Sequence, residues 1–278
     1  MEQKNANLKK ERIWELDFIR GLCVLLMIFD HTMYDLTSYS YQWFKETGKQ
    51  IFYEIYSISY HYFFELDLRL IVEPIVVIIF CAVCGISCSF SRNNLKRAIE
   101  LAVCSILITI VTTIIESPIT FGILHMLTVS ILMWCLINFI CRKKPLVTAF
   151  ACGIIGIAVI VIAYVCNSIY ETNPTAFTDN NTWYFLGEFM RADPSKIVNN
   201  DDQPIFPLMG YMLLGAAIGP IVYKNKKSLM PSLGKYDWYA PVNFWGRIAI
   251  WVYIFHQIII AGVFAVISLV LTGKFLMP

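Results

Sequence analysis

The stretch "LVTAFACGIIGIAVIVIAYVC", residues 146–166, contains no charged side chain. It is as long as the roughly 20 apolar residues that one membrane-spanning helix needs. Further apolar segments of similar length lie on both sides of it, at 18–36, 66–90, 99–115, 121–140, 205–223 and 246–271. The sequence therefore predicts an all-α fold, a polytopic transmembrane helix bundle of about seven spans.

The composition agrees with a multi-pass membrane protein. Hydrophobic residues make up 58% of the chain, charged residues only 15%, and the mean hydropathy is +0.61. Soluble domains carry about 25% charged residues, so a globular enzyme held by a single anchor is excluded. The lysines and arginines form no basic stripe of the kind that binds nucleic acid.

The nine cysteines lie within or at the ends of the apolar segments. Cys81, Cys84 and Cys88 have the spacing of metal ligands, but metal binding needs thiolates, which a dry helix disfavours. We interpret them as small apolar side chains that pack between helices. The sequence predicts neither a metal site nor a disulfide.

The basic residues fall into four clusters, one before the first span and one after each of the second, fourth and sixth spans. With seven alternating spans all four clusters lie on one side, and the positive-inside rule makes that side cytoplasmic. We therefore predict one domain over 1–278 in the cell membrane, with a cytoplasmic N-terminus. The clusters are Lys4, Lys9, Lys10 and Arg12; Arg92, Lys96 and Arg97; Arg142, Lys143 and Lys144; Lys224, Lys226, Lys227 and Lys235.

Two polar stretches, 37–65 and 167–204, are then the outer loops. The first is rich in tyrosine and contains Trp43, and both residue types favour the lipid headgroup zone. This pattern predicts an interfacial helix near 50–64, or else an aromatic platform for a sugar.

All four histidines lie within or beside predicted spans: His31, His61, His125 and His256. Ionisable groups inside a membrane are costly and usually mark function. His31 and His125 are expected at similar depth near the outer face. His256 is expected near mid-depth, where it binds amides of a ligand or bridges helices.

One face of the first span carries a second pattern. Asp35 lies four residues after His31 and shares its face, so its carboxylate can hold one ring nitrogen and leave the other as a base. Arg20 lies on the same face, about 16 Å away along the helix axis. Gly21 leaves room for close approach, and Val24 and Met27 line the space between.

A cation at one end and a base at the other suit a long, thin ligand with phosphates at its head. An acyl-coenzyme A fits, with its thioester near His31. Its phosphates would be bound best by guanidinium groups, which form paired charge-assisted hydrogen bonds to them. Simpler interpretations stay open: Arg20 reaches lipid headgroups, His31 caps a helix end, and the basic loops only set topology. The candidate phosphate-binding residues are Arg20, Arg92, Lys96, Arg97 and Arg247.

Five segments also resemble one family in the same order along the chain. They are "RIWELDFIRGLCVLLMIFDHTMYDL" (12–36), "CGISCSFSRNNLKRA" (84–98), "FGILHMLTVSIL" (121–132), "PIFPLMGYMLLGAAIGPIVY" (204–223) and "GRIAIWVYIFHQIII" (246–260). The chain resembles bacterial heparan-α-glucosaminide N-acetyltransferases of the transmembrane acyltransferase superfamily. The resemblance implies acetyl transfer from cytosolic acetyl-coenzyme A to an acceptor on the far side of the membrane.

The resemblance also points to particular residues. The opening is similar to the acyltransferase-3 family, whose functional arginine and histidine fall on Arg20 and His31. In the lysosomal relative the catalytic histidine lies in the first outer loop, which points to His61. A Y-x-x-H motif matches Tyr253 to His256. The catalytic base therefore stays open between His31 and His61.

The hypothesis for the mechanism follows from these positions. His31, oriented by Asp35, removes a proton from an acceptor amine or hydroxyl, and His125 donates a proton to the thioester carbonyl or the leaving thiolate. Asp202 or Glu116 binds an acceptor amine first. Direct transfer and an acetyl-histidine intermediate both remain open.

Three questions stay open at the level of sequence. The acceptor is an amino sugar or glycan outside the cell, and O-acylation of an exopolysaccharide hydroxyl is an alternative to N-acetylation. A transporter without chemistry is a further alternative, although the chain shows no internal repeat that would support it. The oligomeric state, monomer or homodimer, is undetermined.

Overall fold

The computed structural model describes residues 13–114, 119, 121–173, 189, 203–223 and 226–276. These residues form helices and connecting segments, and none of them lies in a strand. A π-helix spans His61–Glu65, and 3₁₀ turns span Leu233–Lys235 and Asp237–Tyr239. The α-helices are α1 (Trp14–Thr47), α2 (Gln50–Tyr60), α3 (Asp67–Phe90), α4 (Asn94–Ile114), α5 (Ile123–Ile140), α6 (Pro145–Thr172), α7 (Ile205–Val222), α8 (Ala240–Arg247) and α9 (Ala249–Thr272).

Within the described residues, six helices are long and apolar enough to cross a membrane, namely α3 to α7 and α9. They coincide with the predicted spans from 66–90 onward, so the all-α polytopic fold is confirmed. α1 contains the first predicted span, 18–36, but it is outside this set because Arg20, Asp30 and Asp35 lower its apolar character. The count of seven spans and the cytoplasmic N-terminus stay predictions.

α1 is 34 residues long and continues through the first part of the predicted outer stretch. It ends where Gly48 adopts a φ of +64° and donates its N–H to the Phe44 carbonyl at 2.8 Å, as helix-terminating glycines do. α2 and the π-helix follow, so a helix near 50–64 is confirmed and its interfacial position stays a prediction. Most of the second stretch, 167–204, lies outside the described residues.

The chain divides into two compact units, Met1–Leu16 with Ile78–Lys235 and Asp17–Val77 with Tyr236–Pro278. We call them the first unit and the second unit. The divisions fall inside α1 and α3 and before Tyr236.

In the first unit, α3 and α7 pack through glycines. A Cβ on Gly85 of α3 would lie 1.8 Å from the Met212 carbonyl oxygen, and a Cβ on Gly215 of α7 would lie 2.0 Å from that of Ala82. Gly215 and Gly219 of α7 form a small-xxx-small pattern, which allows close helix approach, and the helix that approaches is α3.

We expect Gly85→Ala to lower the thermal stability of the protein strongly, because the new methyl group would collide with the backbone of α7. Overpacking of this kind costs about 1–3 kcal/mol. The measurement is thermal unfolding of the purified protein in detergent. Gly153→Ala is the matched control, since its Cβ would meet only the Ala217 Cβ, at an ordinary 3.7 Å. Equal melting temperatures for the two variants would contradict the packing described.

In the second unit, the beginning of α1 packs against α8 with their backbones in contact. A Cβ on Gly21 would lie 2.1 Å from the Val242 carbonyl oxygen, and a Cβ on Gly246 would lie 1.8 Å from the Asp17 carbonyl oxygen. Only glycine permits this contact at both positions. The contact holds the start of α1 against the segment that leads into α9.

The end of α1 packs against α9 through an aromatic cluster. Trp43 donates its indole N–H to the Ser268 hydroxyl at 2.7 Å, and the Tyr39 ring lies 5.2 Å from the Phe264 ring. Phe52 of α2 adds to the cluster, with its ring 5.7 Å from that of Trp43. These contacts hold the part of α1 that follows His31 against α9.

Candidate active site

Two arginines of the second unit meet at Asp17. Arg20 donates to the Asp17 carboxylate at 2.9 Å and to the Gly246 carbonyl at 3.3 Å. Arg247, at the end of α8, lies 3.8 Å from the other oxygen of the same carboxylate. The structure thus brings together Arg20 and Arg247, two of the predicted phosphate-binding residues. It adds Asp17, whose only signal in the sequence is its i,i+3 spacing to Arg20.

The predicted stripe of α1 runs from Arg20 to His31. Val24 is buried at 3% exposure, and Met27 is half-buried. Gly21 lies in the same part of α1, and the backbone of α8 occupies the space where a side chain at this position would lie. Arg20, Val24 and His31 therefore lie along one helix within one unit, as the spacing predicts.

The hydrogen bond of His31 fixes where its proton lies. Nδ1 of His31 is 2.9 Å from the Met27 carbonyl oxygen. A carbonyl oxygen only accepts, so Nδ1 carries the hydrogen, and in the neutral ring Nε2 carries the lone pair. His31 is thereby held in the form that a general base requires.

A second imidazole lies against His31. The ring of His256 in α9 is 4.9 Å from the ring of His31, with an angle of 81° between their planes. His256 is buried at 8% exposure, and its Nδ1 donates to the Tyr253 carbonyl at 2.8 Å. Its Nε2 therefore also carries the lone pair when the ring is neutral. No spacing along the chain indicates that these two histidines adjoin.

The residue after His256 makes a parallel contact. Gln257 donates its amide N–H to the buried Asp35 carboxylate at 2.8 Å. α9 thus places His256 against His31 and Gln257 against Asp35, one turn farther along α1. That Asp35 orients the His31 ring stays a prediction, and the structure adds Gln257 as a partner of its carboxylate.

Asp30, the neighbour of His31, belongs to a separate ion pair. Arg69 of α3 donates to both Asp30 oxygens, from Nε at 2.8 Å and from Nη2 at 2.9 Å. The Tyr62 hydroxyl donates to the same carboxylate at 3.3 Å, and the Arg69 guanidinium lies 3.8 Å over the Phe63 ring. Burial, and then Asp30, raises the pKa of Tyr62, which keeps its phenol protonated as a donor. No pattern in the sequence pointed to Arg69 as a partner of Asp30.

His61 has a different environment from His31. It lies in the π-helix, with Nδ1 2.8 Å from the Glu65 carboxylate, and both side chains are largely exposed. The contact is local, four residues along the same turn. His61 therefore forms an exposed pair at the surface of the second unit.

In the first unit, Thr109 orients His125. The Thr109 hydroxyl donates to the Ile119 carbonyl at 2.8 Å, and its oxygen lies 3.1 Å from His125 Nε2. Because the hydroxyl proton is used on Ile119, the oxygen accepts from Nε2–H. A neutral His125 then carries its lone pair on Nδ1, so the predicted role as proton donor requires a protonated ring.

The remaining predicted residues are dispersed or outside the described part. Arg97 donates to Asn94 at 3.3 Å, Lys96 lies 3.7 Å from Glu100 in an exposed pair, and Arg92 is exposed. These three belong to the first unit. The candidate acceptor-binding residues Glu116 and Asp202 lie outside the described residues.

Comparison with known families decides the identity. The family model described as heparan-alpha-glucosaminide N-acetyltransferase, catalytic, matches residues 12–258. The chain belongs to this family. No curated protein and no solved structure matches it.

Membership in the heparan-α-glucosaminide N-acetyltransferase family makes this chain a multi-pass membrane acetyltransferase. The matched range includes α1 to α8 and ends at residue 258, just past His256 and Gln257. Both histidines of the adjoining pair therefore fall inside the catalytic region that defines the family. Among the residues that the structure describes, no group of three or more His, Cys, Asp or Glu could hold a metal ion.

Proposed function

We propose that this acetyltransferase moves an acetyl group from cytosolic acetyl-coenzyme A to an amine or hydroxyl of an amino sugar or glycan outside the cell. The observation that carries the proposal is the arrangement along α1. Arg20 and Arg247 meet at Asp17 near one end, and His31 presents a basic Nε2 eleven residues later in α1. The distance of about 16 Å suits a pantetheine arm that joins phosphates to a thioester.

The proposed reaction uses His31 as the general base. The acceptor nitrogen or oxygen attacks the thioester carbonyl carbon, and its proton passes to His31 Nε2. The carbon–sulfur bond then breaks, and the coenzyme A thiolate takes the proton from the His31 imidazolium, which restores the neutral base. Positioned acid–base groups contribute about 10²–10⁴-fold each.

His31 is favoured over His61 as the base by two observations. The Met27 carbonyl fixes the tautomer of His31, and the His256 ring lies against the His31 ring at 4.9 Å. His61 is exposed and bound to Glu65. A general base is most effective where its orientation is fixed before the substrate arrives.

The decisive experiment follows labelled acetyl-coenzyme A with the purified protein and a panel of acceptors. Amino sugars and sugars that offer only hydroxyl groups are compared. Transfer of label to the amino sugar supports N-acetylation, and transfer only to hydroxyl acceptors supports O-acylation. A protein that releases no coenzyme A with any acceptor would contradict the proposal.

We expect Arg20→Gln to raise the KM for acetyl-coenzyme A by about tenfold to a hundredfold while kcat changes little. A hydrogen bond to a charged group contributes about 1.5–3 kcal/mol, and its loss in both ground and transition state appears in KM. Initial rates over a range of donor concentrations measure both constants. Lys143→Gln, which removes an exposed cation elsewhere, is the control, and an unchanged KM in Arg20→Gln would remove Arg20 from the donor site.

A further inference from the structure

Asn243 of α8 is a buried amide without a visible partner. The residue is 1% exposed, and both its amide nitrogen and its amide oxygen lack a hydrogen-bond partner among the residues that the structure describes. An unpaired buried polar group costs about 1–3 kcal/mol, and native proteins keep few of them. A side chain buried at this cost points to a partner that the described residues do not supply.

The position of Asn243 indicates where that partner binds. Asn243 is flanked in α8 by Val242 and Gly246, whose backbones contact Gly21 and Asp17 of α1. Arg20 donates to the carbonyl of Gly246. Arg247, one turn after Asn243, approaches Asp17. The unpaired amide therefore lies in α8 one turn before Arg247, and three residues before Gly246, whose carbonyl accepts from Arg20 of α1.

We propose that Asn243 recognises an amide of the donor's pantetheine arm next to its phosphates. An amide offers one N–H donor and one carbonyl acceptor, which complement the acceptor and donors of an asparagine side chain. The guanidinium groups of Arg20 and Arg247 suit the adjoining phosphate. This proposal rests on the donor assigned in the proposed function. Since protein encloses both amide atoms, the donor reaches them only when α8 or its neighbours shift.

The test uses Asn243→Leu, which keeps a similar volume without polar atoms. Two effects of opposite sign are expected. The melting temperature of the purified full chain rises by about 3 °C, because an unpaired amide is removed. The affinity for 4′-phosphopantetheine falls about tenfold, which corresponds to about 1.4 kcal/mol. The affinity for adenosine 3′,5′-diphosphate, which has phosphates and no amide, stays unchanged.

A second measurement needs no substitution in the protein. The wild-type chain is titrated with two phosphopantetheine analogues, each with one amide N–H replaced by an ester oxygen. One analogue is expected to bind about tenfold more weakly than 4′-phosphopantetheine, since it cannot donate to Asn243. This measurement stands even if Asn243→Leu fails to fold.

The outcomes separate this inference from the proposed function. If a wild-type protein that transfers acetyl groups binds 4′-phosphopantetheine and both ester analogues equally well, the role of Asn243 is wrong and the proposed function is unaffected. Unchanged phosphopantetheine affinity in a folded Asn243→Leu protein does the same. A wild-type protein that neither binds phosphopantetheine nor releases coenzyme A overturns both.

Discussion

Replacing His31 by alanine is expected to lower the rate of acetyl transfer by about 10²–10⁴-fold, the usual contribution of a positioned base. The affinity for acetyl-coenzyme A should change little, because the arginines that we assign to its phosphates lie at the other end of the stripe. The measurements are coenzyme A release with an amino-sugar acceptor, and donor binding to the same preparation. A loss of kcat with donor binding intact identifies a group that acts in the transition state.

His61→Ala is the matched control for this experiment. Its imidazole is exposed and paired within its own turn, so its removal should leave most of the activity. The reverse pattern, an active His31→Ala protein and an inactive His61→Ala protein, would identify His61 of the π-helix as the general base. Near-wild-type rates in both variants would show that neither histidine is the base.

Replacing Arg69 by alanine is expected to lower the free energy of unfolding by about 3 kcal/mol. The side chains of Arg69 and Asp30 are only 16% and 17% exposed, so the substitution leaves a mostly buried carboxylate that, among the described residues, accepts only from the Tyr62 hydroxyl. Removing one partner of such a pair costs more than the pair itself contributes. Thermal unfolding in detergent, with wild type measured in parallel, tests this expectation.

Two comparisons make the Arg69 experiment specific. Lys96→Ala removes the exposed pair with Glu100, in which the side chains are 75% and 55% exposed; such pairs contribute about 0–1 kcal/mol. The double variant Asp30→Asn with Arg69→Gln removes both charges, and it should be more stable than Arg69→Ala. A loss for Arg69→Ala no larger than for Lys96→Ala would mean that the ion pair does not hold α3 to α1.

The apolar helices were predictable because their signal is local. Each of the spans from 66–90 onward is a run of apolar residues long enough to be recognised without knowledge of its neighbours. The continuation of α1 to Thr47 was not predictable in this way. Residues such as Tyr39 and Trp43 indicate a headgroup zone by composition, and they extend the helix because they pack on Phe264 and Ser268 of α9.

The candidate site shows the same limit. The common face of Arg20 and His31 follows from helical periodicity within one segment. The contacts of His31 with His256 and of Asp30 with Arg69 join residues of different helices, and no spacing in a single sequence encodes them. Asp30 is a charged residue in an apolar run, and such a costly charge indicates that a partner exists but does not identify it.

The length of α1 has a consequence for how the protein meets the bilayer. At about 1.5 Å per residue, its 34 residues measure roughly 51 Å, whereas a bilayer with both headgroup layers is about 40–45 Å thick. If α1 crosses the bilayer close to the membrane normal, as the predicted first span implies, part of it extends beyond the headgroup layers, whereas a tilt of more than about 30° would bring it within them. A thinner or thicker bilayer would therefore change how many residues of α1 lie in water. A polymeric acceptor would be able to contact those residues without entering the hydrocarbon layer.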